Sequence, residues 1–216
     1  PEEWGLHGRP TVVHTPRTLL QLRALCSGAA LDAEHADPGT RLVTVRGAVG
    51  TPATVELPTT APLYTALSAV DDDGSRYVVG GQFGGFTRSL DLPASAPALS
   101  AASLGTAGVI EVLASDECIV ATVGERAAFA REENCGRCVP CREGSKQLHG
   151  ALRDIYHGDL DGDGLRRLAR VLRTTSLCAF GEAAGRPVQT ALDAFEPAFR
   201  ARATGRCPAG RCEGLQ

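Results

Sequence analysis

Glu133-Asn134-Cys135-Gly136-Arg137-Cys138-Val139-Pro140-Cys141-Arg142-Glu143-Gly144 sets three thiols at equal gaps of two residues and then opens a helical pattern. Cysteines this close are too crowded to pair comfortably with one another, but one loop can aim all three at a common centre. A C-x2-C-x2-C triple with a remote fourth cysteine is a standard way to meet the four-thiolate requirement of a four-iron, four-sulfur (4Fe-4S) cluster. Cys178, between two amphipathic stretches, is the best candidate for that fourth ligand. In this reading Gly136 relieves crowding in the loop, Pro140 stiffens it, and the free amides of the next helix favour the anionic thiolate set. A non-redox interaction module in which the same four cysteines hold a structural zinc is the competing reading, although zinc sites usually pair two separate cysteine knuckles. A thiol redox enzyme is a third, weakened because the Cys-x-x-Cys pairs lack a thioredoxin-like strand-to-helix context.

Outward from the triple, the apolar residues recur at helical spacing. Leu148, Leu152, Ile155 and Tyr156 share a face, as do Leu165, Leu168 and Leu172, and as do Val188, Leu192, Phe195 and Phe199. The spacing predicts helices over 122–131, 144–156, 164–173 and 187–202, a small four-helix bundle. Upstream the period shortens. Leu42, Val43 and Val45 lead through Gly47 to Gly50 into Thr54, Val55 and Leu57, as in a hairpin; Pro62 opens a short helix over 63–70, and Tyr77 to Val79 form a strand before Gly80, Gly81, Gly84 and Gly85. The Pro-, Ala- and Ser-rich stretch 92–107 reads as a connector before a last strand near Val109 to Leu113. Near the start, 18–30 reads as a helix with Leu19, Leu22, Ala24, Leu25 and Cys26 on one side. The expected fold class is α+β: a β-grasp-like module over 41–94, a connector and strand over 95–115, a helical cluster-binding domain over 116–205, and flanking segments 1–40 and 206–216.

Composition narrows the function classes. The 216 residues carry a formal charge of -3, with 22 Lys and Arg against 25 Asp and Glu, and no basic block that would bind nucleic acid or an anionic membrane. No run of about 18 apolar residues exists to insert into a bilayer, and no secretory layout opens the chain. The expected location is cytoplasmic, where eight cysteines serve metals or catalysis rather than a disulfide framework. Methionine is absent even at position 1, as expected of a processed chain or a segment of a longer one.

Residues 133–144, followed by Ser176-Leu-Cys-Ala-Phe-Gly-Glu-Ala-Ala-Gly-Arg-Pro-Val188, closely resemble the flavoprotein subunit of respiratory complex I and its relatives in NAD-linked hydrogenases and formate dehydrogenases. Gly105-Thr-Ala-Gly-Val-Ile110 resembles the family's strand before the cluster domain. Residues 42–67 with Val79-Gly-Gly-Gln-Phe-Gly-Gly85 resemble its ubiquitin-like, soluble-ligand-binding β-grasp domain, and Gly8 to Leu19 resembles the segment leaving the flavin domain. The resemblance implies NADH oxidation by FMN, a cluster on Cys135, Cys138, Cys141 and Cys178 that takes electrons from FMN singly, and Arg142 and Glu143 anchoring the cluster loop. It also implies redox partners, ferredoxin-like or 2Fe-2S carriers, in an assembly peripheral to a membrane complex. FMN and NADH are expected in a domain or partner not in this chain, which alone should not oxidise NADH.

Other candidates read more plainly. Cys207 and Cys212 could form half of a second metal site or be reduced thiols on a tail. Asp159, Asp161, Asp163 and Gly164 imitate a calcium loop, but Arg170 stands at its twelfth position, so a helix-capping turn is expected. Cys26 and Cys118 are expected as buried small hydrophobes, His149 and His157 as surface or satisfied histidines, and the Gly80 to Gly85 cluster as a turn rather than a phosphate cradle.

Overall fold

The computed structural model describes residues 3–27, 39–71, 74 and 76–210, in two units, Pro1–Thr40 and Arg41–Gln216. In the first unit a single α-helix, α1 (Pro16–Cys26), follows a short 3-10 turn, Leu6–Gly8. The helix begins two residues before the expected start, at a proline whose missing N–H costs nothing in a first turn; the expected end at 28–30 lies outside the described residues. The expected burial of Cys26 is overturned. Leu19 and Leu22 are 56% and 44% exposed, and Cys26 is exposed rather than a buried hydrophobe. Among the described residues this unit contains no second long element against which a stripe could pack.

The second unit opens with a five-stranded sheet: β1 (Thr40–Gly47), β2 (Ala53–Pro58), β3 (Tyr77–Val79), β4 (Gly85–Thr87) and β5 (Val109–Val112), in the order β2-β1-β5-β3-β4. Strand β5 is central. It runs parallel to β1, with Val45 opposite Ile110, and antiparallel to β3, which pairs antiparallel with β4. Val43, Val45, Tyr77, Val79, Ile110 and Val112 fill one core; Val78 and Phe86 join another, shared with the helices. Strand β3 is thus buried at every residue, which is why its sequence does not alternate.

In the sheet region two elements escape the sequence reading. Strand β4 sits at the end of what reads as a glycine turn. The expected connector contains α2 (Ala96–Ala101), capped by Ser95 Oγ accepting from the Ala98 amide at 3.3 Å, with Leu99 buried in the sheet core. The expected helix at 63–70 forms as a 3-10 helix, Leu63–Ala69.

Five helices follow: α3 (Ile119–Glu133), α4 (Val139–Asp154), α5 (Gly162–Thr175), α6 (Ala179–Ala184) and α7 (Arg186–Ala203). The short α6, placed directly after Cys178, was not expected. The apolar faces read from the sequence do meet in one core: Leu148, Leu152, Ile155, Leu165, Leu172, Val188, Leu192, Phe195 and Phe199 are all buried together. Helix α7 bends at Phe195 (φ -134°, ψ 28°), just before Pro197, which has no N–H to continue the ladder. Arg88 Nε donates to the Ala194 carbonyl there at 2.9 Å, and its guanidinium stands 4.4 Å over the Phe195 ring. Asp161 caps α5 by accepting from the Gly164 amide at 2.7 Å, the capping turn expected in place of a calcium loop. Among the described residues no helix is long and apolar enough to cross a membrane.

Candidate iron-sulfur site

The cysteine loop is held at both ends by side chains that satisfy its backbone. Asn134 ends α3, its Nδ2 donating to the Ala130 and Arg131 carbonyls (3.2 and 2.7 Å) while its Oδ1 accepts the Gly136 amide at 3.0 Å. Gly136 then takes φ +73°, a conformation that disfavours any side chain; a Cβ there would meet only Arg142 Cδ, at 3.9 Å, so glycine is required by backbone rather than by space. Arg142 reaches back to donate from Nη1 to the Gly136 carbonyl at 2.8 Å, and its Nε pairs with Glu143 at 2.8 Å. Glu143, braced also by Lys146, is held below the usual carboxylate range, chiefly by the Arg142 hydrogen bond.

The loop delivers its thiols to a helix start. Cys138 is the N-cap of α4 with no side-chain cap of its own, and Cys141 lies in the first turn, 5% exposed. The fourth thiol arrives the same way: Cys178 is the N-cap of α6. Here α6 and the loop interlock. A Cβ on Gly181 would stand 2.5 Å from Ser176 Oγ and 3.1 Å from Cys141 Cβ, so only glycine lets the backbone of α6 approach Cys141.

Electrostatics join the four. A hydrogen bond from the Leu177 backbone, followed by one from Cys141, lowers the pKa of the Cys138 thiol. Burial pushes Cys141 up, and the neighbouring charges of Cys138, Cys178 and Cys135 push it further. Among the described residues no three His, Cys, Asp or Glu side chains are gathered as a site for one metal ion. Each of the other three thiols is nonetheless an electrostatic neighbour of Cys141. Cys135 and Cys178 are exposed, beside Val139 and Leu177, which are 59% and 74% exposed.

The sheet reaches this site through the glycine loop. Its turn closes with the Gly84 amide donating to the Gly81 carbonyl at 2.8 Å, as expected for a turn. It places Phe83 edge-on to Phe180, with ring centroids 4.9 Å apart, and to Phe129 at 5.7 Å. Phe180 is two residues beyond Cys178. Arg186 Nη1 donates to the Phe83 carbonyl at 3.1 Å. Buried Arg126 on α3 donates to Gln82 and, at 2.6 Å, to Glu111 of β5, whose other oxygen accepts from Arg46 at 2.8 Å.

Sequence reasoning missed Asn134, Ser176, Leu177 and Phe83 as parts of this site. An Asn closing an apolar-periodic helix was the one available signal. Of the remaining candidates, Cys118 is buried as expected, His149 meets Arg131 Nη1 at 3.3 Å, and His157 is exposed. Cys207 packs against the helical core, and Cys212 lies outside the described residues.

With this geometry in view, comparison with known proteins defines the class. Residues 121–202 match the NADH-ubiquinone oxidoreductase-F iron-sulfur binding region, a match that supports a 4Fe-4S cluster in this part of the chain. The relatives are more particular. The chain is 27% identical to the NADP-reducing hydrogenase subunit HndC of Solidesulfovibrio fructosivorans, over 100% of this chain and 47% of that protein. It is 28% identical to the mitochondrial NADH-ubiquinone oxidoreductase 51 kDa subunit of Neurospora crassa (94% and 45%). To the mitochondrial NADH dehydrogenase [ubiquinone] flavoprotein 1 of Dictyostelium discoideum it is 29% identical (92% and 45%). It therefore spans about half the length of the curated relatives it matches. Among solved structures, an air-oxidized NAD+-reducing [NiFe]-hydrogenase superposes with a TM-score of 0.77 at 30% identity, covering 94% of this chain and 37% of that one.

The residues present fit the cluster that this domain implies. Cys138, Cys178 and Cys135 are all electrostatic neighbours of Cys141, and the four together are the donor type and number that a 4Fe-4S cluster takes. Burial and the neighbouring thiols raise the pKa of Cys141, and Ser176 Oγ is buried without a hydrogen-bond partner.

Proposed function

We propose that this chain is the iron–sulfur electron-transfer portion of an NADH-dehydrogenase-type flavoprotein, with Cys135, Cys138, Cys141 and Cys178 as the ligands of one 4Fe-4S cluster. The observation that supports this reading is the close approach of α6, which Cys178 caps, to Cys141 of the triple, with Cys178 an electrostatic neighbour of Cys141. When bound, such a cluster supplies one-electron storage, taking an electron from a reduced flavin and passing it to a further iron–sulfur carrier. The chain's residues do the rest. Asn134 and Arg142 hold the loop, the Leu177 backbone steadies Cys138 as thiolate, and exposure on the Cys135 and Cys178 side leaves a face through which electrons can enter or leave.

The strand order β2-β1-β5-β3-β4 with β1 parallel to β5 supports a β-grasp reading of the sheet, and the shared core of α3, α4, α5 and α7 supports a four-helix bundle. FMN and NADH would be bound by a domain or partner outside this chain, the partners would be ferredoxin-like or 2Fe-2S carriers, and the setting would be cytoplasmic, at the periphery of a membrane complex. Anaerobically reconstituted chain should contain four irons and four sulfides, absorb broadly in the visible and bleach with dithionite. With FMN and NADH added it should turn over no NADH. Stoichiometric zinc without iron would overturn the proposal.

A further inference from the structure

Among the described residues, the buried side-chain nitrogen and oxygen atoms that lack a hydrogen-bond partner are Arg76 Nη2, Arg126 Nε, Arg202 Nε and Ser176 Oγ. The three arginines are otherwise engaged: Arg76 Nη1 with the Glu117 carbonyl, Arg126 with Gln82 and Glu111, and Arg202 over the Tyr156 ring at 4.1 Å. Ser176 has a single polar side-chain atom, and no such alternative. A buried hydroxyl left unpaired is costly, and native proteins seldom keep one.

Its position says what it is for. Ser176 lies between the end of α5 and Cys178, and its Oγ and the Cβ of Cys141 flank the same point above Gly181, at 2.5 and 3.1 Å. Cys141 is the buried member of the thiol set, and the hydroxyl oxygen beside it is itself buried. Resting on the cluster reading above, we infer that the Ser176 hydroxyl donates a hydrogen bond to a sulfur at the Cys141 corner of the bound cluster and holds its reduction potential up. The reduced cluster carries one more negative charge than the oxidised one. A donor aimed at its sulfur therefore stabilises the reduced state more, and burial strengthens the preference.

The test uses the full chain, reconstituted anaerobically, with iron and sulfide analysis and an EPR-monitored redox titration of wild type, Ser176→Ala and the isosteric pair Ser176→Thr and Ser176→Val. Ser176→Ala and Ser176→Val should keep the cluster and shift its midpoint potential to more negative values, whereas Ser176→Thr, which retains the hydroxyl, should match wild type. Pulsed EPR in deuterated buffer should find one coupled exchangeable deuteron fewer in the two hydroxyl-free variants. Loss of the cluster from both of these with Ser176→Thr intact supports the hydroxyl's role. Unchanged potentials in loaded Ser176→Ala or Ser176→Val, an equal count of coupled deuterons, or loss of the cluster from Ser176→Thr overturns it. Absence of iron from the wild type would instead refute the cluster reading itself.

Discussion

The core among the helices and the core on the other face of the sheet are built from the same kinds of side chain but differ in what they leave over. Around the sheet most polar groups close on the chain itself, with Arg76 Nη2 beside β3 left unpaired. Tyr77 donates its hydroxyl to the Gly74 carbonyl at 2.6 Å, Arg41 donates to the Ala94 carbonyl at 2.8 Å, and Thr44 and Thr54 meet at 2.9 Å. Beside the helical core, Cys141 is buried among other thiols and Ser176 Oγ has no partner. A region whose hydroxyls find partners in the chain is scaffold; one that leaves a buried hydroxyl unpaired beside a buried thiol is shaped around something it must bind.

The sharpest way to break that contrast is to remove the link between loop and α6. Cys178→Ala should lose or convert the cluster while the fold remains, read as iron and sulfide per chain and by the far-ultraviolet circular dichroism; an unchanged iron content would place the fourth ligand elsewhere. Next in size are the two cores themselves. Leu148→Ala and Leu63→Ala each open a cavity in a fully buried position, one in each core, and each should cost about 2–5 kcal/mol in urea unfolding. They separate in the iron assay: Leu148→Ala, on the helix that carries Cys141, should also lower cluster retention, whereas Leu63→Ala should leave it unchanged. If both variants lost iron equally, the two regions would not be distinct in function. The contact joining the regions comes third. Arg126→Ala deprives the half-buried Glu111 carboxylate of its shorter ion pair and should cost about 1–3 kcal/mol in the same unfolding experiment. The smallest effect is expected at the α5 cap, where Asp161→Ala should lower stability by about 0.5–2 kcal/mol with no change in bound iron.

The two regions were also unequally legible. Helices α3, α4, α5 and α7 advertise themselves because each buries one stripe, and the periodic Leu, Val and Phe positions became the core. The sheet hides more. Strand β3 is covered on both faces and β4 is three residues long, so neither can show alternation. Helix α2 hides in an Ala- and Pro-rich stretch that has the composition of a linker, and α6 is too short for a period to emerge. The stripe on α1 misled in the opposite direction, since periodicity reports what a helix can bury and not whether anything covers it.

What the sequence determined by itself was the chemistry: four thiols of the right number and spacing, in a setting without a disulfide framework, because ligand type and loop spacing are local properties of the chain. What only the tertiary structure decided was the environment of Cys138 and Cys141. Nothing local to Ser176, Leu177 or Phe83 says that one places a hydroxyl beside Cys141, that the next hydrogen-bonds Cys138, or that the third crosses from the sheet to rest on Phe180. These are contacts between segments from 35 to 97 residues apart, and they exist because the helices and the glycine loop pack against one another.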